Sequence, residues 1–327
     1  MGAQKIGWQA RSDGTAMSHP SRQQGLFEGA PPAAQWEQDV AKRALDELFS
    51  LARRYRSGPD FRSLMEFVRR FRFYSAFNAM LVHIQMPGAT YVAPASRWHR
   101  EFGRRIGPDA RPLVILQPMG PVMFVFDVSG TIEGPHSRKL PREVTEPFEV
   151  RNGRVGAELQ LTIANAKRDG VEVSERDAGS QSAGLIRTTR PGRSVAFEAP
   201  KRSEPTVLQV PLRYELLLNR AHSAEAKYAT LTHELGHLYC GHVGTPNDRW
   251  WPDRRGLQEA AAEFEAESVC YLVCGRLSID NPSETYLAGY LAEGREVPSI
   301  SLECVMKTVG LIEQMGRDRM NPRKARD

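Results

Sequence analysis

The chain has 327 residues, of which 41% are hydrophobic and 25% charged, which excludes both a wholly disordered chain and a peptide-sized scaffold that needs disulfides to fold. Lys and Arg number 44 against 39 Asp and Glu, a formal charge of +5; that surplus tolerates an anionic partner without demanding one. The longest apolar stretch, residues 112–128, is interrupted by Pro118, Gly120 and Pro121. It falls short of the ~20 continuous apolar residues of a membrane-spanning helix, so no membrane partner is expected.

Residues 1–35 are rich in Gly, Ala, Ser, Gln and Pro without any period, which predicts a mobile tail. No apolar signal core stands at the amino terminus. The four cysteines, Cys240, Cys270, Cys274 and Cys304, form no CxxC pair. Both features predict a cytoplasmic protein with reduced core thiols.

Residues 36–135 read as an N-terminal module of helices and strands. Over residues 35–84, Leu64, Phe67, Val68, Phe71, Tyr74, Leu81 and Ile84 recur at helical spacing, and Ser57-Gly58-Pro59 divides the stretch into two helices. The runs at 113–116 and 122–128, rich in β-branched and aromatic residues, predict strands. Residues 136–182 are polar and turn-rich, a connecting segment with a strand at 159–163 and a linker near 177–182. In residues 183–327 the pattern predicts strands at 194–198 and 206–212. A helix then runs from a Ser223 cap to a Gly241 stop, and after a loop another runs from Leu257 to about Arg276. The expected fold class is α+β.

The chemistry lies on those last two helices. His233-Glu234-Leu235-Gly236-His237 is an HExxH motif. Four residues make about one helical turn, so both imidazoles face one side, where they can hold one Zn2+ ion. Glu234, one residue on, stands beside that face, where a carboxylate reaches water without ligating the metal. A metzincin continuation would need Gly at 240 and His at 243; the chain has Cys240 and Val243. His242 falls past the Gly241 stop and reads as a local hydrogen-bonding or capping group. A third ligand must then come from the following helix. Glu259, Glu263 and Glu267 recur every four residues and continue into Cys270 and Cys274, whereas Glu265 lies about 200° around the helix from Glu263. The thiols mark the first stripe as inward. Glu263 is therefore expected as third ligand, with Glu265 the alternative, and Glu267 as the acceptor that orients a ligating imidazole. Glu259 and Glu265 also read as a solvated charged face.

Three protein ligands leave a position for water, which distinguishes catalytic from structural zinc sites. Glu234 would take the water's proton and deliver it to a leaving amine. His222, Tyr271, Tyr286 and Tyr290 are candidate donors to the oxyanion, and spacing does not choose among them. Trp250 and Trp251, beside Arg254 and Arg255, either rim a substrate groove or pin the loop that carries them. The strand at 206–212 could pair with an extended substrate backbone.

The stretches THELGHLYCGH (232–242), WWPDRRG (250–256) and EFEAESVCYLVCGRL (263–277) resemble the ImmA/IrrE metallo-endopeptidases. The resemblance covers roughly the last 145 residues. It implies a zincin-like protease module, with two zinc-binding helices beside a small sheet, that cleaves a regulatory protein such as a transcriptional repressor. In that family two His and a Glu bind the metal and the Glu after the first His is the base, matching His233, His237, Glu263 and Glu234. The family more often has Asn where Glu267 stands.

Residues 73–131, with FNAMLVHIQMPGATYVA, Trp98 and FDVSGT, are similar to the N-terminal domain of ArdC-type antirestriction proteins, which implies single-stranded DNA as a partner. Arg62, Arg69, Arg70 and Arg72 just before this stretch, and Arg97, Arg100, Arg104 and Arg105 within it, interleave with aromatic residues. That mixture suits phosphate contact and base stacking, and equally a solvated basic face over an aromatic core.

Overall fold

The computed structural model describes residues 55, 57–117, 120–140, 153–177, 184–190, 192–198, 207–292 and 296–323. The tail expected at 1–35 and most of the helix expected before Ser57 lie outside them. The described residues form a mixed α+β structure with eight α-helices and several small sheets.

The helix expected to run on to Ile84 is two helices. Helix α1, Gly58–Arg70, starts at Ser57, whose hydroxyl accepts the Asp60 N–H, with proline in the first turn. Helix α2, Ala76–Gln85, starts at Ser75, whose side chain accepts the Asn78 N–H. The anticipated apolar stripe is buried at Leu64, Phe67, Val68, Phe71 and Leu81. The second break escapes periodicity because the stripe continues through the turn. Its signal is the short polar cap at Ser75.

Three antiparallel strands follow in the order β1–β4–β3: β1 Val92–Ala93, β3 Leu113–Gln117 and β4 Gly120–Asp127. Between β1 and β3 lies helix α3, Ala95–Phe102, where only strands are expected; it ends at Gly103 in the left-handed region. Strands β2, Arg105–Ile106, and β5, Thr131–Ile132, form a short pair. The outer edge of β3 meets α2 rather than another strand. Asn78 donates to the Leu116 carbonyl and accepts its N–H, and Gln85 does the same for Val114, all at 2.8–3.0 Å. Two carboxamides seven residues apart on α2 thus stand in for a neighbouring strand.

The residues expected as a strand at 159–163 lie in helix α4, Glu158–Arg168. Its buried positions, Leu159, Thr162, Asn165 and Ala166, are spaced for a helix. The apolar, β-branched character of LTI suggested a strand, but the period decides. The segment read as a connection therefore supplies a helix and then β6, Val171–Arg176. Strand β10, Tyr214–Asn219, lies between β6, to which it is parallel, and β7, Gly184–Thr188, to which it is antiparallel. Strands β8, Ser194–Glu198, and β9, Val207–Pro211, pair only with each other among the described residues. The strand before the HExxH helix is thus β10, buried along most of its length, and not the run at 206–212.

Helices α5, Ala224–Tyr239, α6, Glu259–Arg276, α7, Pro282–Ala292, and α8, Leu302–Arg317, complete the chain. One hydrophobic core includes residues from every described α-helix except α3, whose Trp98 and Phe102 pack in a second cluster with Tyr91 and Ala93, and Phe61 of α1 tilts against Phe264 of α6 at 5.2 Å. Arg276 ties these elements together. Its buried guanidinium donates to the carbonyls of Val68, Phe71 and Tyr74 and to Glu313 of α8. It satisfies carbonyl groups at the end of α1 that the helix cannot satisfy itself. The four cysteines are free, three of them buried and Cys304 partly so. Among the described residues no helix is long and apolar enough to cross a membrane.

Candidate metal centre

Helix α5 begins where its sequence predicts, with the Ser223 hydroxyl accepting the Ala226 N–H. Beyond its last turn Gly241 adopts φ of 86°, a conformation that strains any residue with a Cβ. Gly236 serves a different need. A Cβ there would lie 3.2 Å from the Ala266 Cα of α6 and 3.4 Å from its carbonyl oxygen. Glycine facing alanine lets α5 and α6 approach closely, one turn from the residues that face each other across them.

Those residues are His233, His237 and Glu263. The two imidazole Nε2 atoms are 3.2 Å apart. The Glu263 carboxylate oxygens lie 3.6 Å from His233 Nε2 and 3.3 Å from His237 Nε2. Ligand bonds of about 2.0–2.1 Å at a tetrahedral angle of about 109° place donor atoms about 3.3–3.4 Å apart. The three groups have that spacing. Electron-rich atoms facing one another this closely need a proton or a cation between them, and two imidazoles with a carboxylate suit zinc. The residues present fit the ion.

Burial, with His237 next to it, pushes His233 down to about 4, which leaves a neutral ring with a lone pair to give. His237 beside it holds the Glu263 carboxyl below the usual carboxylate range. The centre is open on one side, since the Glu263 side chain is 42% exposed. Glu234 is buried, and burial raises its carboxyl, opposed by His237 and by a hydrogen bond from the Ile186 backbone. The HExxH turn therefore faces β7.

The stripe of acidic residues on α6 is not uniformly inward. Glu259 is exposed. Glu267 places an oxygen 3.7 Å from His233 Nδ1, too long for a hydrogen bond, and burial raises its carboxyl. Glu265, read as a solvated face or an alternative ligand, is neither: it is 0% exposed and points away from His233. Arg254 grips both its oxygens at 2.6 and 2.7 Å, His242 Nε2 lies at 2.9 Å, and the Ser301 N–H donates at 2.7 Å. Burial alone would raise this carboxyl; hydrogen bonds from His242, Arg254 and Ser301 outweigh it and hold it low. Cys240, His242 and Glu265 form a second cluster of donor atoms.

Three of the four suggested auxiliary donors are described in full. Tyr271 is buried and accepts from Arg69 Nη1 at 3.3 Å, joining α6 to α1. His222 lies in the turn between β10 and α5, its N–H on the Asn219 carbonyl. Tyr286 is on the exposed side of α7, and the side chain of Tyr290 lies outside the described residues. Trp251 does not rim a groove. It is buried, donates to the Gly244 carbonyl at 2.9 Å and packs edge-on to Tyr239, so it pins the loop, and Trp250 packs partly buried beside it. In the N-terminal region Trp98 is fully buried among Tyr91 and Phe102, its N–H on the Phe126 carbonyl. Arg104 is buried against Thr131 and Glu133.

Sequence reasoning missed Arg254 and Glu265 as a pair. The available signal was the WWPDRRG loop, whose arginines had to find an acceptor wherever the loop folded back. No protein-family model matches the chain, and no curated protein matches it. Among solved structures it is similar to the antirestriction protein ArdC from the R388 plasmid in a metal-free crystal structure, at 14% identity, over 75% of this chain and 82% of that one, with a TM-score of 0.32.

Proposed function

We propose that the chain is a zinc-dependent hydrolase that cleaves a peptide bond in a protein substrate. The observation that carries this reading is the convergence of His233 Nε2, His237 Nε2 and the Glu263 carboxylate at tetrahedral spacing, with Glu234 as the next residue after the first His. Zinc held there supplies Lewis acidity to a carbonyl oxygen and to the attacking water. Glu234 takes the proton of that water and returns it to the leaving amine. An extended substrate has a place to lie. Among the described residues β7 pairs only with β10, and its Ile186 backbone reaches the Glu234 carboxylate, so the outer edge of β7 offers backbone groups beside the base. This edge takes the role assigned from sequence to residues 206–212.

Metal analysis with a peptide-library assay tests the reading. Purified protein should hold one zinc per chain and cut a proteome-derived peptide library at defined bonds, read by mass spectrometry. In Glu263→Ala zinc affinity should fall more than about 100-fold, beyond the range for losing a supporting group around a ligand, and cleavage should vanish. Wild-type protein that binds no zinc, or the alanine variant binding it normally, refutes the assignment.

A second reading, binding of single-stranded nucleic acid, draws support from exposed Arg62, Arg70, Arg100 and Arg105 and from the exposed rings of Phe73 and Phe124. Phosphate contacts with stacking rings give affinity that falls linearly against the logarithm of salt concentration. Anisotropy with a labelled oligothymidine should show that slope in wild type and Glu234→Gln alike; no binding at low salt rules this reading out.

A further inference from the structure

We infer that His242 is a positioning residue: it fixes the proton of His237 on Nδ1 and holds that ring with Nε2 turned into the metal centre. The inference rests on reading His233, His237 and Glu263 as ligands, and deepens it.

His237 has two ring nitrogens with two neighbours. Nε2 faces His233 and Glu263. Nδ1 lies 3.1 Å from His242 Nδ1. A pair of ring nitrogens at that distance requires one donor and one acceptor. A metal takes the lone pair of Nε2, so the ring proton of His237 belongs on Nδ1, and His242 Nδ1 accepts it. The proton of His242 then sits on Nε2, 2.9 Å from Glu265 Oε2, which as a carboxylate only accepts. Each atom in the row has the role its neighbour requires.

The row ends on a fixed point. Glu265 belongs to α6, Arg254 to the loop after α5, and the Ser301 N–H to the cap of α8. The end of the relay is thus held from three directions. Cys240, His242 and Glu265 do bring donor atoms close together, but the Arg254 guanidinium already covers both oxygens of Glu265 and would repel a second cation. That cluster is a support for the metal centre and not another one.

The test uses the full chain in its metal-free and zinc-loaded forms. Long-range proton–nitrogen NMR of the metal-free protein should show His237 protonated on Nδ1 in wild type and on Nε2, the usual form in water, in His242→Phe. Zinc affinity by chelator competition should fall about 10–100-fold in His242→Phe, with the metal-free melting temperature within a few degrees of wild type. His242→Asn keeps an acceptor near Nδ1 and should recover most of the affinity. Wild-type His237 protonated on Nε2 overturns the inference whether or not the phenylalanine variant folds, and so does unchanged zinc affinity in that variant. Failure of wild type to bind zinc instead defeats the metal reading, which the tautomer measurement does not depend on.

Discussion

Replacing Glu234 with glutamine is expected to lower peptide hydrolysis by about 10²–10⁴-fold, the range for losing a general base, with zinc staying at one ion per chain. Glutamine has the shape of glutamate and fills the same buried space beside β7. It cannot take up a proton. On the proposed reading the metal donors are His233, His237 and Glu263, so the substitution removes proton transfer and leaves binding intact. Zinc content and turnover measured on one preparation separate the two effects. A variant that keeps wild-type turnover would assign the chemistry to another residue, and one that loses zinc would mean that Glu234 holds the ion or its site.

Substitution of Arg276 by methionine is expected to have the largest effect on stability, a loss of about 3–5 kcal/mol, as for removing one partner of a buried ion pair. Methionine retains the stem that packs in the core. It strands the Val68, Phe71 and Tyr74 carbonyls and leaves Glu313 without its cation. Thermal unfolding should shift down on the order of 10 °C. Arg276→Met combined with Glu313→Gln should regain part of the loss, because the second change removes the uncompensated charge. A shift below 2 °C for the single variant would show that water replaces the guanidinium at little cost.

The parts of this structure legible in the sequence are those fixed by local chemistry. The Ser223 cap, the Gly241 stop and the one-turn spacing of His233 and His237 act within a few residues, and the structure shows each where the pattern places it. The nearness of Glu263 to His233 and His237 was legible for a related reason: a four-residue step on one helix fixes which face a side chain takes. What needed the whole chain was hidden. YELLLN at 214–219 forms the central strand of its sheet, with Glu215 and Leu217 half-buried and the other four residues buried, and its run of three leucines shows no apolar–polar alternation to distinguish it from loop or helix. Residues 159–163 carry strand-like side chains, but helical burial prevails once α8 packs on them. The fate of Glu265 was least readable. Its charge argued for solvent, and only the fold brings Arg254, His242 and Ser301 around it.

The amides of Asn78 and Gln85 have a consequence for how the protein meets other chains. By occupying the hydrogen-bonding groups along the rim of β3, they deny that rim to any passing polypeptide, including another copy in a crowded or heated solution. The rim of β7, beside Glu234, has no such cover from a side-chain amide among the described residues. The molecule thus guards an edge where recruitment would only breed aggregates.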